Sequence, residues 1–108
     1  MDHRLKKDKQ FSYIYRKGKR YNSEHLTLFS VESRFKTFKI GYAVSKKIGK
    51  ANKRNKLKRR LKEIVRRNNL PKDYFNYVIM ARPGAAEIDF LTLQEEVKKI
   101  FKVASIKK

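Results

Sequence analysis

The sequence has no cysteine, no long apolar run and few acids, and each of these features narrows the classes of protein to which it can belong. It contains no cysteine, so disulfide bonds, thiol catalysis and cysteine metal sites are excluded. Its longest apolar runs, such as residues 77–81, are far shorter than the roughly 20 residues of a membrane-spanning helix. Acids are scarce, with 10 Asp and Glu against 30 Lys and Arg, a formal net charge of +20. We therefore expect a cytoplasmic protein with an anionic partner.

The scarcity of acids also bears on catalysis. The acids are scattered along the chain, so the sequence does not predict a carboxylate cluster that holds metal ions. Neither histidine has a carboxylate or serine at the spacing of a catalytic base. Glu95 and Glu96 fall in the first turn of a predicted helix, where the helix dipole favours acids. We expect no catalytic residue and no metal ligand on this chain.

The most informative segment runs from Lys46 to Arg67 and carries twelve Lys and Arg residues against a single acid, Glu63. Read as a helix, it aligns its apolar residues into one stripe at spacings of four, seven and eight. These residues are Leu57, Leu61, Ile64 and Val65. Cations cover nearly all the remaining surface. The pattern predicts a helix with one side in the core and the other facing a polyanion.

Three classes of acidic partner are consistent with this charge: nucleic acid, an anionic membrane surface and an acidic protein. A membrane-surface helix typically exposes bulky aromatic residues, whereas this stripe contains only Leu, Ile and Val. A surface selected for solubility would mix both signs of charge. Asn55 adds a hydrogen-bond donor and acceptor among the cations. These features favour nucleic-acid binding.

Periodicity predicts an α+β fold with one sheet and helices, in a single domain over residues 1–108. The first predicted elements are a helix over 8–18 and two strands, over 25–31 and 38–44, that pair as a hairpin. The basic helix follows and ends at about residue 68. A buried central strand over 77–81 comes next, and a last helix begins at Thr92 with a capping box to Glu95.

Three aromatic residues support two interpretations. Phe11 and Tyr15 share a face of the first helix, and Phe29 lies on the second face of its strand. Aromatic residues at such spacings usually belong to the core. Gly41 and Ala43 leave a shallow strand face nearby, however, so the same rings are also candidates to stack unpaired bases.

One segment resembles a known family. Residues 44–51, Val-Ser-Lys-Lys-Ile-Gly-Lys-Ala, followed by Arg54-Asn55 and Lys58-Arg59, are similar to the signature of the bacterial ribonuclease P protein subunit. Other parts of the chain also match the family in order. They are Phe11 and Tyr15 ahead of residues 16–18, Phe29 in its strand, and residues 79–83. The resemblance implies an α-β-β-β-α-β-α sandwich, ribosomal protein S5 domain 2-like, with a left-handed βαβ crossover through the basic helix and a short extra strand over 20–22.

The resemblance also implies a function. In this family the protein is the accessory subunit of an endoribonuclease whose RNA carries the active site and binds Mg²⁺. The holoenzyme removes the 5′ leader from precursor tRNA. The expected partners are therefore ribonuclease P RNA and the precursor tRNA leader, and we expect no small-molecule substrate, membrane or DNA partner.

Site residues follow from matching the family pattern residue by residue. The expected contacts with the catalytic RNA are Lys46, Lys47, Arg54, Asn55, Lys56, Lys58 and Arg59. The expected leader cleft contains Phe11, Tyr15, Phe29, Lys58 and Lys62. The family usually has Arg at the places of Lys56 and Lys62, so the bidentate guanidinium geometry is absent there.

Two other functions remain open at the level of sequence. Small basic α+β domains also bind structured RNA in the ribosome or during its assembly. A membrane-surface or DNA-compacting role is also consistent with charge alone, and it predicts tight binding to vesicles or duplex DNA at physiological salt.

Overall fold

The computed structural model describes Leu5 and residues 8–106. In this part of the chain, three helices and four strands follow the predicted order α-β-β-β-α-β-α. They are α1 (Asp8–Lys17), β1 (Lys19–Asn22), β2 (Leu26–Glu32), β3 (Lys39–Ala43), α2 (Ala51–Arg67), β4 (Phe75–Ala81) and α3 (Phe90–Ile106). Strand β1 is the short strand that only the family resemblance implied.

The sheet has the strand order β1-β2-β4-β3. Strands β1 and β2 are antiparallel, as are β2 and β4, whereas β3 and β4 are parallel. The predicted hairpin between β2 and β3 is therefore wrong, because β4 lies between them. Val78 of β4 is paired with Phe29 on one side and with Gly41 on the other. This interior position pairs both edges of the apolar strand, as its predicted central position requires.

The chain passes from β3 through α2 to the parallel strand β4, which is the predicted βαβ unit. The left-handedness of this crossover remains a prediction from the resemblance. The α+β fold is confirmed for the described residues. The single domain predicted over 1–108 also includes residues that the structure does not describe, so its full extent remains a prediction.

The larger core lies between one face of the sheet and helices α2 and α3. The predicted stripe on α2 faces this core, and Leu57, Leu61 and Ile64 are at most 1% exposed. Leu93 and Val97 of α3 are fully buried in the same cluster. Burial of a large aliphatic side chain contributes about 1.5–3 kcal/mol. This stripe therefore fixes which side of α2 faces solvent.

A smaller core lies on the opposite face of the sheet, under α1. Ile14 of α1 is 2% exposed and packs with Phe29, Val78 and Leu5. The Leu5 amide donates to the carbonyl of Ile40, so Leu5 lies at the outer edge of β3. The sheet is thus covered on both faces.

The helix ends test two predictions. Helix α2 ends at Arg67 and is followed by Asn68 and Asn69, as predicted, with Asn69 at a left-handed φ of 50°. The predicted start of α3 at Thr92 is wrong. The helix begins at Phe90, because the Asp89 carboxylate accepts a hydrogen bond from the Thr92 amide at 2.8 Å and caps the first turn.

Candidate nucleic-acid interface

Helix α2 presents its cations to solvent because its apolar stripe is buried. Lys56, Arg59 and Lys62 are exposed, and Lys58 is half-buried. No acid lies in the first turn. The positive end of the helix dipole therefore adds to the charge of the side chains around it.

Carboxylates neutralise the cations of α2 unevenly. Glu63 accepts hydrogen bonds from Arg66 at 2.5 Å and from Arg67 at 2.8 Å, and these bonds hold the pKa of its carboxyl below the usual value. Lys53 lies 3.5 Å from Glu87. Within the described ranges, Arg54, Lys56, Lys58 and Arg59 have no carboxylate within ion-pair distance. The middle of the helix therefore retains its positive charge.

The loop before α2 extends this surface. Residues Lys46–Ile48 form a short 3-10 turn in which Ile48 is buried and both lysines are exposed. Gly49 has a φ of 151°, and a Cβ there would lie 3.1 Å from Cδ of Lys53, so the approach to α2 favours glycine. We call the resulting surface the cationic ridge, and it consists of Lys46, Lys47, Arg54, Asn55, Lys56, Lys58 and Arg59.

Arg54 has a distinct position in the cationic ridge. It lies one turn before Leu57 on α2 and is half-buried. Its Nε is buried and has no hydrogen-bond partner among the residues that the structure describes. A buried donor without an acceptor is unfavourable by about 1–3 kcal/mol. Arg54 therefore has hydrogen-bonding capacity that the described residues leave unused.

The three predicted aromatic residues lie together on the α1 side of the sheet. Ring centroids are 4.9 Å apart for Tyr15 and Phe29 and 6.3 Å apart for Phe11 and Tyr15. Phe29 is 7% exposed, Phe11 is half-buried and Tyr15 is 38% exposed. Burial raises the pKa of the Tyr15 hydroxyl. The core interpretation therefore describes Phe29 well, while Tyr15 presents an accessible ring.

The shallow strand face at Gly41 is filled. A Cβ at residue 41 would lie 2.5 Å from Cζ of Phe11 and 2.9 Å from Cδ1 of Leu5, so Phe11 packs directly on the glycine backbone. The next row of this face contains Ala43 and Met80, which are paired in the β3–β4 register and are half-buried. We call the partly open surface formed by Tyr15, Phe29, Ala43 and Met80 the aromatic trough.

Arg20 is a candidate site residue that no sequence pattern indicated. Arg20 lies opposite Phe29 in the β1–β2 register, and its guanidinium carbon is 5.8 Å from the centre of the Phe29 ring. This geometry is typical of a cation–π contact. No periodicity marked β1 as a strand, so only the resemblance pointed to this part of the chain. The arginine adds an exposed cation to the aromatic trough.

Lys62 does not lie with the three aromatic residues. Its ammonium is 5.8 Å from the centre of the Tyr42 ring. Tyr42 packs against the larger core, while its neighbours Gly41 and Ala43 face α1, because side chains alternate along a strand. Lys58 lies one turn earlier on the same row of α2, towards the loop that follows β3. The structure thus brings the three rings together and places Lys62 on the other face of the sheet.

Glu96 has contacts that its helix position did not predict. It accepts hydrogen bonds from the Ser23 hydroxyl and from the His25 amide at 2.8 Å, and its other oxygen lies 2.8 Å from Nδ1 of His25. The serine is bonded to the carboxylate and not to the imidazole, so the group lacks the nucleophile–base bond of a catalytic triad. It instead connects the β1–β2 turn to α3.

Over Leu5 and residues 8–106, no three His, Asp or Glu side chains form a group that could hold a metal ion. No helix in the same ranges is long and apolar enough to cross a membrane.

The fold and its charged surface define a small basic α+β domain whose exposed cations suit a nucleic-acid partner. A family model described as Ribonuclease P matches residues 1–105, and the chain belongs to this family. It is 30% identical to the ribonuclease P protein component of Streptococcus agalactiae, over 96% of this chain and 95% of that protein. It is 38% identical to that of Caldanaerobacter subterraneus, over 92% and 86%.

Solved structures show the same fold. The RNase P protein of Staphylococcus aureus superposes with a TM-score of 0.90 at 28% identity, over 96% of both chains. The RNase P protein of Thermotoga maritima superposes with a TM-score of 0.84 at 32% identity, over 92% of this chain and 94% of that one. The protein is thus a subunit of an endoribonuclease holoenzyme that acts with an RNA in tRNA 5′ processing. The ribosomal alternative is set aside.

Proposed function

We propose that the cationic ridge binds ribonuclease P RNA and that the aromatic trough binds the single-stranded 5′ leader of precursor tRNA. The observation that supports RNA binding by the ridge most directly is that its α2 cations Arg54, Lys56, Lys58 and Arg59 have no carboxylate partner in the described ranges. A surface that retains so much charge is destabilised by self-repulsion unless an anion binds it.

The ridge contributes binding and orientation. Lys46, Lys47, Lys58 and Arg59 are suited to contact phosphates, and Asn55 is suited to contact a base edge or a ribose hydroxyl. Neutralisation of phosphates by these side chains lowers the repulsion between folded RNA segments. Mg²⁺ held by the RNA would supply the charge stabilisation of the cleavage step. The side chains of this chain hold the RNA and the substrate in place, in the cytoplasm.

The trough contributes contacts to unpaired nucleotides. The exposed Tyr15 ring offers a stacking surface. The Phe29 ring packs against it in an edge-to-face contact at an interplanar angle of 70°. Arg20 lies beside these rings and is suited to contact the leader backbone. Base stacking on an aromatic side chain is worth about 1–3 kcal/mol per base and tolerates any sequence. The trough therefore fits leaders of differing sequence.

The direct test adds the protein to the ribonuclease P RNA of the same genome at low Mg²⁺ concentration. We expect stimulated cleavage of precursor tRNA at the mature 5′ end, with a 5′-phosphate on the product. A variant with Lys46, Lys58 and Arg59 all changed to Ala should stimulate far less. Equal cleavage with and without the protein would contradict the proposed function.

A further inference from the structure

A second groove with aromatic walls lies on the face of the sheet opposite to the aromatic trough. Phe38 and Tyr42 form one wall beside the edge strand β3, and Lys62 and Val65 of α2 form the other. Ile40 lies at the floor and is 4% exposed. The groove encloses about 520 Å³. This volume is within the roughly 300–1,000 Å³ that is typical of ligand pockets.

The rim of this groove is positively charged. Lys62 holds its ammonium over the Tyr42 ring at 5.8 Å and has no carboxylate partner in the described part of the chain. Arg66 lines the same groove, and its guanidinium is paired with Glu63. Lys62 is therefore the cation that remains available to a ligand. An aromatic wall next to an available cation is the chemistry that holds an unpaired nucleotide, with its base stacked and its phosphate neutralised.

The Tyr42 side chain is suited to this contact. It is half-buried, and burial raises the pKa of its hydroxyl to about 12. The hydroxyl is therefore protonated and neutral near pH 7, where it is able to donate a hydrogen bond to a base or a ribose oxygen.

We propose that the groove between Phe38, Tyr42 and Lys62 receives an unpaired nucleotide of the partner RNA. This inference rests on the proposed function, because it takes ribonuclease P RNA as the partner. The position of the groove favours this RNA over the tRNA leader. Lys62 lies one turn beyond Lys58 of the cationic ridge, whereas the aromatic trough is on the other face of the sheet.

The test measures the affinity of the protein for ribonuclease P RNA in the absence of precursor tRNA. Tyr42→Leu keeps an apolar side chain but removes the ring, so we expect binding to weaken roughly 5- to 100-fold. The dependence of log affinity on log salt should keep its slope, because no charge is removed. Tyr42→Phe retains the stacking surface and should bind within a few-fold of the unaltered protein.

Two further variants complete the design. Tyr13→Leu removes an exposed tyrosine from α1, away from the groove, and should bind as the unaltered protein does. Lys62→Gln should weaken binding. It should also reduce the slope of log affinity against log salt by the amount expected for the loss of about one phosphate contact. If Tyr42→Leu unfolds, photocrosslinking of 4-thiouridine-substituted RNA to the unaltered protein replaces it. The crosslinked peptides should then include Phe38 or Tyr42.

The possible outcomes distinguish failure of the inference about the groove from failure of the proposed function. If Tyr42→Leu binds the RNA as tightly as Tyr13→Leu, or if crosslinks avoid the groove, the inference about the groove is overturned. A loss seen only with leader-bearing precursor would assign the groove to the leader and would also overturn it. Failure of the unaltered protein to bind ribonuclease P RNA would instead contradict the proposed function itself.

Discussion

Glu96 joins parts of the chain that are distant in sequence. Burial of its carboxylate would by itself raise its pKa, but hydrogen bonds from Ser23 and His25 outweigh burial and hold the pKa below the usual value. Arg82 contributes to the same junction, because its guanidinium donates to the Ser23 carbonyl at 2.6 Å. The sequence offered only the helix-dipole explanation for Glu96, since its hydrogen-bond donors lie more than 70 positions earlier in the chain.

Changing Glu96 to Gln should lower the free energy of unfolding at pH 7 by about 1–3 kcal/mol, because the charged acceptor of three hydrogen bonds is lost. The folded-state pKa is depressed, so this stabilisation is fully present above the unfolded-state pKa and disappears as pH falls through the folded-state pKa. Urea unfolding of both proteins between pH 7 and pH 3 measures the difference, which should shrink towards acid pH.

The neighbouring acid provides the control for this experiment. The side chain of Glu95 is 72% exposed and lies 3.7 Å from Lys98 on the same helix. Because exposed ion pairs contribute little, Glu95→Gln should change stability by less than about 0.5 kcal/mol at any pH. An equal loss for both variants, or a loss for Glu96→Gln that persists unchanged at pH 3, would contradict the role assigned to Glu96.

Phe11 shows why single-residue roles were only partly predictable. Its helical spacing with Tyr15 was visible in the sequence, and the two rings do lie together. Its contact with Gly41 depends on how α1 packs on the sheet, which no local pattern specifies. The same limit applies to Lys62. Its azimuth on α2 was predictable, but the Tyr42 ring beneath it follows from the packing of α2 on the sheet.

The helices and strands themselves were largely predictable. The α2 stripe, its end near Asn68 and the buried strand around Val78 all follow from periodicity and residue type. The pairing of strands was not predictable in the same way, because alternation reports which side of a strand is buried and not which strand lies beside it. The β2–β3 hairpin was the simplest local solution, yet β4 occupies the place between them.

Helix α2 yields a prediction about salt. If Lys58 contacts a phosphate, Lys58→Ala should weaken binding to ribonuclease P RNA and flatten the plot of log affinity against log salt concentration by about 0.7–0.9 per lost contact. Filter binding or fluorescence anisotropy at several salt concentrations measures this slope.

Lys99 supplies the matched comparison for that slope. It is an exposed lysine on α3, outside the cationic ridge, so Lys99→Ala removes the same charge from the molecule without removing a proposed contact. We expect the Lys99→Ala slope to equal that of the unaltered protein. Identical slopes for the two alanine variants would show that only the net charge matters, against the assignment of Lys58.

The molecule as a whole has two surfaces with different chemistry. Packing of α2 and α3 on one face of the sheet and α1 on the other leaves the cationic ridge on α2 and the aromatic trough beside α1. Composition alone predicted a polyanion partner from the charge of +20. The division between a phosphate-binding surface and a stacking surface needed the fold, because it depends on which strands and helices are neighbours.

The most direct measurement compares the affinity of the reconstituted holoenzyme for precursor tRNA with and without its 5′ leader, using the unaltered protein and Tyr15→Leu. Tyr15 is the accessible ring of the aromatic trough, so its replacement should reduce the preference for leader-bearing tRNA by roughly fivefold or more. Binding of leaderless tRNA should stay unchanged. Equal preference in both proteins, or equal weakening with both ligands, would contradict leader binding by the trough.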